Sequence, residues 1–311
     1  MDNLCHSLVG AALAETGLRR RTRYATAALV VGANFPDLDI AFAFSERGLG
    51  LRRGITHGVL ALMVLPFVLT GLILLWHRWR AGGWADGQTG GETPLRPRRL
   101  LLLSALAILT HPALDWMNVY GMRWLMPFDG TWFYGDSLFI LDPWLWLLLG
   151  GAWLLGRRFR RRGAGHRGQI VARVLTVGSV LYVALMLTLS GVGRAVATRE
   201  LGLLDPGPRD LMVAPPFVAS WRREVTLGAG NGYRFGTIEW FRRPALRLED
   251  GELPRGLQLL DEVSRTTPLA DLLDWARFPF ARRTGDSIHV DDARYARGGR
   301  SFAGMTVSGE R

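Results

Sequence analysis

Six acidic and imidazole side chains in the first half of the chain stand where apolar stretches begin or end: His6, Asp37, Asp39, His57, His111 and Asp115. Imidazole nitrogens and carboxylate oxygens of this kind bind divalent cations. In Thr110-His111-Pro112-Ala113-Leu114-Asp115 an imidazole and a carboxylate lie four residues apart, close enough on one helical face to hold the same ion. Asn34-Phe35-Pro36-Asp37-Leu38-Asp39 adds two carboxylates after a helix-stopping proline. Arg53-Gly54-Ile55-Thr56-His57 adds a second imidazole at the start of the next apolar run. The chain has six histidines and three fall in such settings, so their concentration is informative. His77, His166 and His289 read as structural or solvated.

Each of these groups also has a plainer reading. His111 and Asp115 would satisfy each other as a hydrogen-bonded pair, Asp37 and Asp39 would serve as an ordinary turn and helix cap, and His57 would open a helix with a backbone partner. Their company favours a site, as does the cost of placing ionisable groups at the end of a lipid-embedded helix. Asp136, in the segment Tyr134 to Pro143, is a further ligand or a general base, whereas Asp142 reads as the cap of the next helix or as a support for a ligand. Arg53 either holds a phosphate oxygen beside the metals or snorkels at an interface. Asn118, Tyr120 and Gly121 would lie at the mouth of the same site. Other chemistries lack their residues: there is no Gly-x-Ser-x-Gly elbow, no phosphate loop ending in Lys-Ser or Lys-Thr, and no lysine at all. The single cysteine, Cys5, excludes an intrachain disulfide and a cysteine zinc finger. Metal-activated water remains.

The elements that must position these groups are membrane helices. Of 311 residues 49% are apolar, high for a soluble enzyme. Ile55 to Trp76 would make about 33 Å of helix, the thickness of a hydrocarbon core, and Pro66 within it is tolerable in lipid. The run from Leu100, Leu138 to Leu155, and Ile170 to Val192 are further candidate spans; Leu4 to Leu18 and Tyr24 to Phe35 fall below spanning length, which leaves them to tilt, re-enter or pack in the bundle. The net charge of +11 comes entirely from arginine, clustered at 19–23, 78–99 and 157–167 between apolar runs. That pattern reads as loops retained in the cytoplasm, so nucleic acid is not expected as a partner. The intervening segments, which carry the metal candidates, then face the extracytoplasmic side, as does the C-terminal part after one more crossing. The start of the chain lacks a basic n-region and a small-residue cleavage site, so His6 is expected to be retained.

From about Arg194 the long apolar runs stop and prolines become frequent. The organisation expected is a membrane domain over 1–193, with a disordered Gly-rich linker at Ala81 to Glu92, and a soluble domain over 194–311. In the latter, Trp221 to Leu227 and Tyr233 to Phe241 form a hairpin around Gly228 to Gly232. Thr267 to Phe278 forms a short helix capped by Thr266 or Thr267, and Ser287 to Tyr295 a strand. The fold class is mainly α: a polytopic transmembrane helical bundle with a small C-terminal α+β extramembrane domain. No internal repeat is visible, and the oligomeric state is not legible.

Taken together, Asp2 to Ser7, Asn34 to Asp39, Arg53 to His57, His111 to Gly121 and Asp136 to Pro143 resemble the bacterial membrane-bound metal-dependent hydrolase family of the YdjM type, over about residues 1 to 190. The family often writes His-Arg-Gly-x-Thr-His, whereas here Arg52 fills the first position. In motif order it is distantly similar to the zinc-dependent phospholipase C and single-strand nuclease superfamily. The resemblance implies divalent metal ions, zinc or manganese, with Asp37, His57, His111 and Asp115 at a first site, His6 and Asp115 at a second, and Asp115 bridging. Asp39 is a further ligand candidate and, with Asp136 and Arg53, a catalytic one. The implied activity is hydrolysis of a phosphoester, lipid or small-molecule, by metal-activated water in the bacterial inner membrane. The alternative is a non-enzymatic membrane protein whose metal is structural or serves transport.

Overall fold

The computed structural model describes residues 1–42, 52–81, 93–263, 267–297 and 304–308. Nearly all of the expected Gly-rich linker, and the candidate cap Thr266, lie outside the described residues. The chain is mainly helical, with small sheets confined to its C-terminal part. It divides into two compact units. The first comprises Met1–Asp39, Arg53–Phe133 and Ile140–Leu185, and the second is built chiefly from Tyr134–Phe139 and the chain from Met186 onward.

The first unit contains α1 (Asn3–Glu15), α2 (Ala25–Gly32), most of a 3-10 turn at Phe35–Phe42, α3 (Val59–Ala81), α4 (Pro97–Trp116), α5 (Pro143–Arg161) and most of α6 (Gly165–Glu200). Asp2 caps α1 by accepting from the Cys5 amide at 3.0 Å. Asp142 likewise caps α5, accepting from Leu145 N at 2.9 Å with Pro143 in the first turn. This is why the expected span from Leu138 starts five residues later, with Leu138 in a loop. Small residues let the short helices close on one another: Ala14, Ala25, Leu29, Ala33, Leu103 and Ala107 form one buried cluster.

Gly10 sits at the tightest point of this contact, where a Cβ would overlap the Leu29 carbonyl oxygen. Backbone cannot swing aside as a side chain can, so Gly10→Ala should lower stability by about 1–3 kcal/mol. Gly71→Ala is the control, since a Cβ at Gly71 meets nothing within 4 Å. Thermal unfolding midpoints in detergent decide the matter; equal midpoints for the two variants would contradict the packing described.

Among the described residues two helices, not four, are long and apolar enough to cross a membrane: α3 over Val59–Arg80, and α6. Only 22% and 17% of their apolar windows are buried, the opposite of a soluble core helix, and residues such as Met63, Phe67, Val174 and Leu181 face outward. The span expected from Ile55 begins instead at Val59, because 53–58 is a turn: His57 N and Gly58 N both donate to the Gly54 carbonyl at 3.0 Å. In α4, Leu100, Leu103, Ser104, Ala107, Ile108, His111 and Asp115 make one buried stripe at helical spacing, so its polar ligand candidates continue a core face.

The second unit has two antiparallel sheets. β1 (Leu211–Ala214), β2 (Arg223–Ala229), β3 (Gly232–Ile238) and β4 (Leu246–Leu248) lie in that order, and β5 (Leu253–Pro254) also pairs with β3. β2 and β3 are the expected hairpin, in register from Arg223↔Ile238 to Ala229↔Gly232. After α7 (Leu257–Val263) and α8 (Thr267–Trp275) comes the sheet β6 (Pro279–Thr284), β7 (Ser287–Asp292) and β8 (Met305–Ser308). Leu211, Val213, Val225, Leu227, Ile238 and Leu246 pack around Ala197, so the end of α6 belongs to this core.

Candidate metal centre

Three separate stretches of the first unit bring four donors together. Asp37 comes from the 3-10 turn behind α2, where its amide is bonded to the Asn34 carbonyl at 3.2 Å. His57 ends the turn before α3. That turn is pinned at Arg53, whose backbone has φ of 49° and whose amide donates to Asp39 Oδ2 at 2.8 Å. His111 and Asp115 sit one turn apart at the end of α4.

One ligand atom from each of Asp37, His57, His111 and Asp115 lies within 4.8 Å of all the others, and all four side chains are 0–7% exposed. His57 Nε2 and His111 Nε2 face each other at 3.1 Å. His111 Nε2 is 3.6 Å from Asp37 Oδ1 and 3.5 Å from Asp115 Oδ2; His57 Nε2 is 3.8 Å and 3.6 Å from the same atoms. A tetrahedral zinc site with bonds of about 2.05 Å has donor–donor edges of about 3.3 Å, so the residues fit such an ion with small adjustments.

The imidazole orientations support this. His111 Nδ1 lies 2.7 Å from the Ala33 carbonyl, which can only accept, so Nδ1 carries the proton and Nε2 turns its lone pair toward His57. Thr56 Oγ1 and Asp39 Oδ2 border His57 Nδ1 at 3.0 and 3.6 Å. Burial pushes the His57 imidazole below its ordinary pKa, which keeps it in the neutral form a metal requires. Asp115 Oδ2 is buried and, beyond its ion pair with Arg53 Nε at 3.0 Å, accepts no well-formed hydrogen bond among the described residues.

The remaining candidates take other places. His6 is outside the four-donor group but touches it: its ring stacks on His111 at 3.8 Å and Nε2 is 3.2 Å from Asp115 Oδ1, on which the Met1 amine also rests. Asp115 therefore turns one oxygen toward His6 and the other toward the two facing imidazoles. Asp39 braces the turn. Arg53, 4% exposed, is held by Asp115, by Asn118 Oδ1 at 3.2 Å and by the Gly121 carbonyl at 3.0 Å, with its guanidinium over the Tyr120 ring. It fixes Asp115. Asp136 belongs to the second unit, where it pairs with Arg277 at 2.8 Å. Sequence reasoning missed the Ala33 carbonyl, a backbone group with no signature, and Arg277, one arginine among many.

A mainly helical protein with membrane-length apolar helices and a buried Asp-His-His-Asp group able to hold a metal ion is the class that this fold and site define. The family model of the YdjM inner membrane protein matches residues 1–193, and the chain belongs to that family. No curated protein and no solved structure matches it.

Proposed function

We propose that the first unit is a divalent-metal hydrolase acting on a phosphoester at the membrane, either a phospholipid or another membrane-proximal substrate. The observation that carries this reading is the pair of buried imidazole nitrogens facing each other at 3.1 Å with two carboxylates beside them. Asp37, His57, His111 and Asp115 would hold the ion, and their mixed nitrogen and oxygen donors suit zinc, then manganese. Once bound, such an ion supplies Lewis acidity and an activated water.

The chain's own residues do the positioning. The Ala33 carbonyl orients His111, Thr56 and Asp39 border the outer nitrogen of His57, and Arg53 neutralises and anchors Asp115. His6, stacked on His111, stands where a second ion would draw on Asp115. In this reading α4 and α5 cross the membrane along with α3 and α6, and the arginine map assigns the site and the C-terminal residues to the extracytoplasmic face. The distant likeness to the zinc-dependent phospholipase C and nuclease superfamily points to the same reaction class by analogy.

A structural or transport role for the metal is the second reading. It is favoured by the four buried protein donors, which would fill a tetrahedral site and leave no open position. A screen of phosphomonoesters, phosphodiesters and phospholipids with purified protein in detergent separates the two. Hydrolysis should be abolished by a chelator, restored by added zinc or manganese, and absent in Asp115→Ala. Inactivity of metal-loaded protein on every substrate would favour the second reading, and activity persisting in Asp115→Ala would reveal a contaminant.

A further inference from the structure

The second unit contains a cavity of about 280 Å³ that the metal reading does not use. Tyr134, Asp136, Ser190, Gly191, Arg194 and Arg277 are among its walls. Arg277 is 2% exposed; Nη1 pairs with Asp136, Nη2 donates to the Leu211 carbonyl at 3.1 Å, and Nε to the Pro208 carbonyl. Arg194 donates Nη1 to the Leu211 carbonyl at 2.8 Å and Nη2 to the carbonyls of Pro206 and Gly207. Among the described residues no carboxylate lies within ion-pair distance of Arg194. The wall thus carries two cations against one carboxylate, and each guanidinium has five N–H groups of which these bonds use only some.

Tyr134, on the same wall, holds a third donor. The Tyr134 hydroxyl is buried with no hydrogen-bond partner among the described residues, and the Tyr134 ring lies 4.4 Å from the Arg277 guanidinium. Ser190 Oγ is already engaged with the Asp136 carbonyl at 2.7 Å. A surplus positive charge and two forked donors around a small cavity, with an unspent hydroxyl on a residue of its wall, match a tetrahedral oxyanion.

The depth of the cavity narrows the choice. Between Arg173 and Arg194 α6 has no charged residue, a stretch of about 32 Å at the helical rise. That is the thickness of the hydrocarbon core, so Arg194 stands at the level of the lipid headgroups. We propose that this cavity binds a phosphate group, presented by a lipid headgroup or by a soluble phosphate at the membrane surface.

The test uses the full chain in detergent with a chelator present, so that phosphate binding to a metal cannot contribute and the outcome is independent of the hydrolase reading. Inorganic phosphate is titrated by calorimetry, and phosphatidic acid is compared with phosphatidylcholine in lipid nanodiscs. Gly191→Leu fills the cavity while keeping the fold, because a Cβ at Gly191 meets nothing within 4 Å and leucine is the better helix former. Tyr134→Phe removes one donor and no packing. Wild-type protein should bind at least one probe saturably, with affinity at least tenfold lower in Gly191→Leu and several-fold lower in Tyr134→Phe. Binding of phosphatidic acid alone identifies a headgroup site, and binding of inorganic phosphate a soluble one. No saturable binding of either probe, or equal affinity in wild type and Gly191→Leu, overturns the proposal. Should Gly191→Leu fail to fold, unchanged affinity in both Tyr134→Phe and Arg194→Gln does so.

Discussion

Metal bound per chain should fall to background when His111 or Asp115 is replaced by alanine. Both residues belong to the four-donor group, and the Ala33 carbonyl holds His111 with its Nε2 lone pair toward that group. Loss of a ligand should cost far more affinity than the roughly 10–100-fold typical of removing a group that only orients one. Thr56→Val, which removes the hydroxyl 3.0 Å from His57 Nδ1, should show that smaller effect. His6→Ala, which removes a ring beside the group rather than one of its four donors, should retain ion at the main site. Elemental analysis of protein purified in detergent and checked by circular dichroism gives the answer. Wild-type metal content in both His111→Ala and Asp115→Ala would dismiss the site.

The largest stability effect should come from Asp292. It accepts from Arg277 N at 2.7 Å and from Arg294 N at 2.8 Å, and pairs with the fully buried Arg294 guanidinium at 2.8 Å. Arg294 is stacked near Trp275, Tyr295 and Tyr134, and the Asp292 charge outweighs burial to keep its pKa above the ordinary arginine value. Asp292→Ala would leave that charge buried without its carboxylate, which costs about 3–5 kcal/mol. Urea titration followed by proteolysis of the C-terminal residues measures it. The double variant Asp292→Leu with Arg294→Met should recover much of the loss, since a buried pair removed together is far less costly than one removed by half. A single variant as stable as wild type would refute the account.

Local rules made part of this structure legible and left the rest hidden for physical reasons. The His111–Asp115 spacing worked because four residues are one helical turn, whatever surrounds the helix. The β2–β3 hairpin was readable because its glycine-rich turn lies between two strand-like runs. The α3 boundary was not: Ile55 is apolar, yet it lies in a turn whose hydrogen bonds run to Gly54, and Val59 N donates to the distant Trp124 carbonyl. Apolarity also misplaced where runs become helix. Runs such as Leu138 to Leu155 contain a capped helix preceded by loop, and hydropathy does not register a cap. The pairing of Asp136 was hidden as well. Its partner is Arg277, 141 residues away, and no local pattern encodes such a pair.

That pairing bears on how the protein can be divided. The family match stops at residue 193, inside α6, which continues to Glu200 and lends Ala197 to the core of the sheet β1–β4. Asp136 lies within the matched segment, yet the cation that balances it lies far outside. A fragment ending at the family boundary would sever a continuous helix, strand an acid without its counter-charge and strip the end of α6 of the sheet it packs against. The edge of the family match is thus not an edge of the folded object: α6 runs through it, and an acid inside it is balanced from outside.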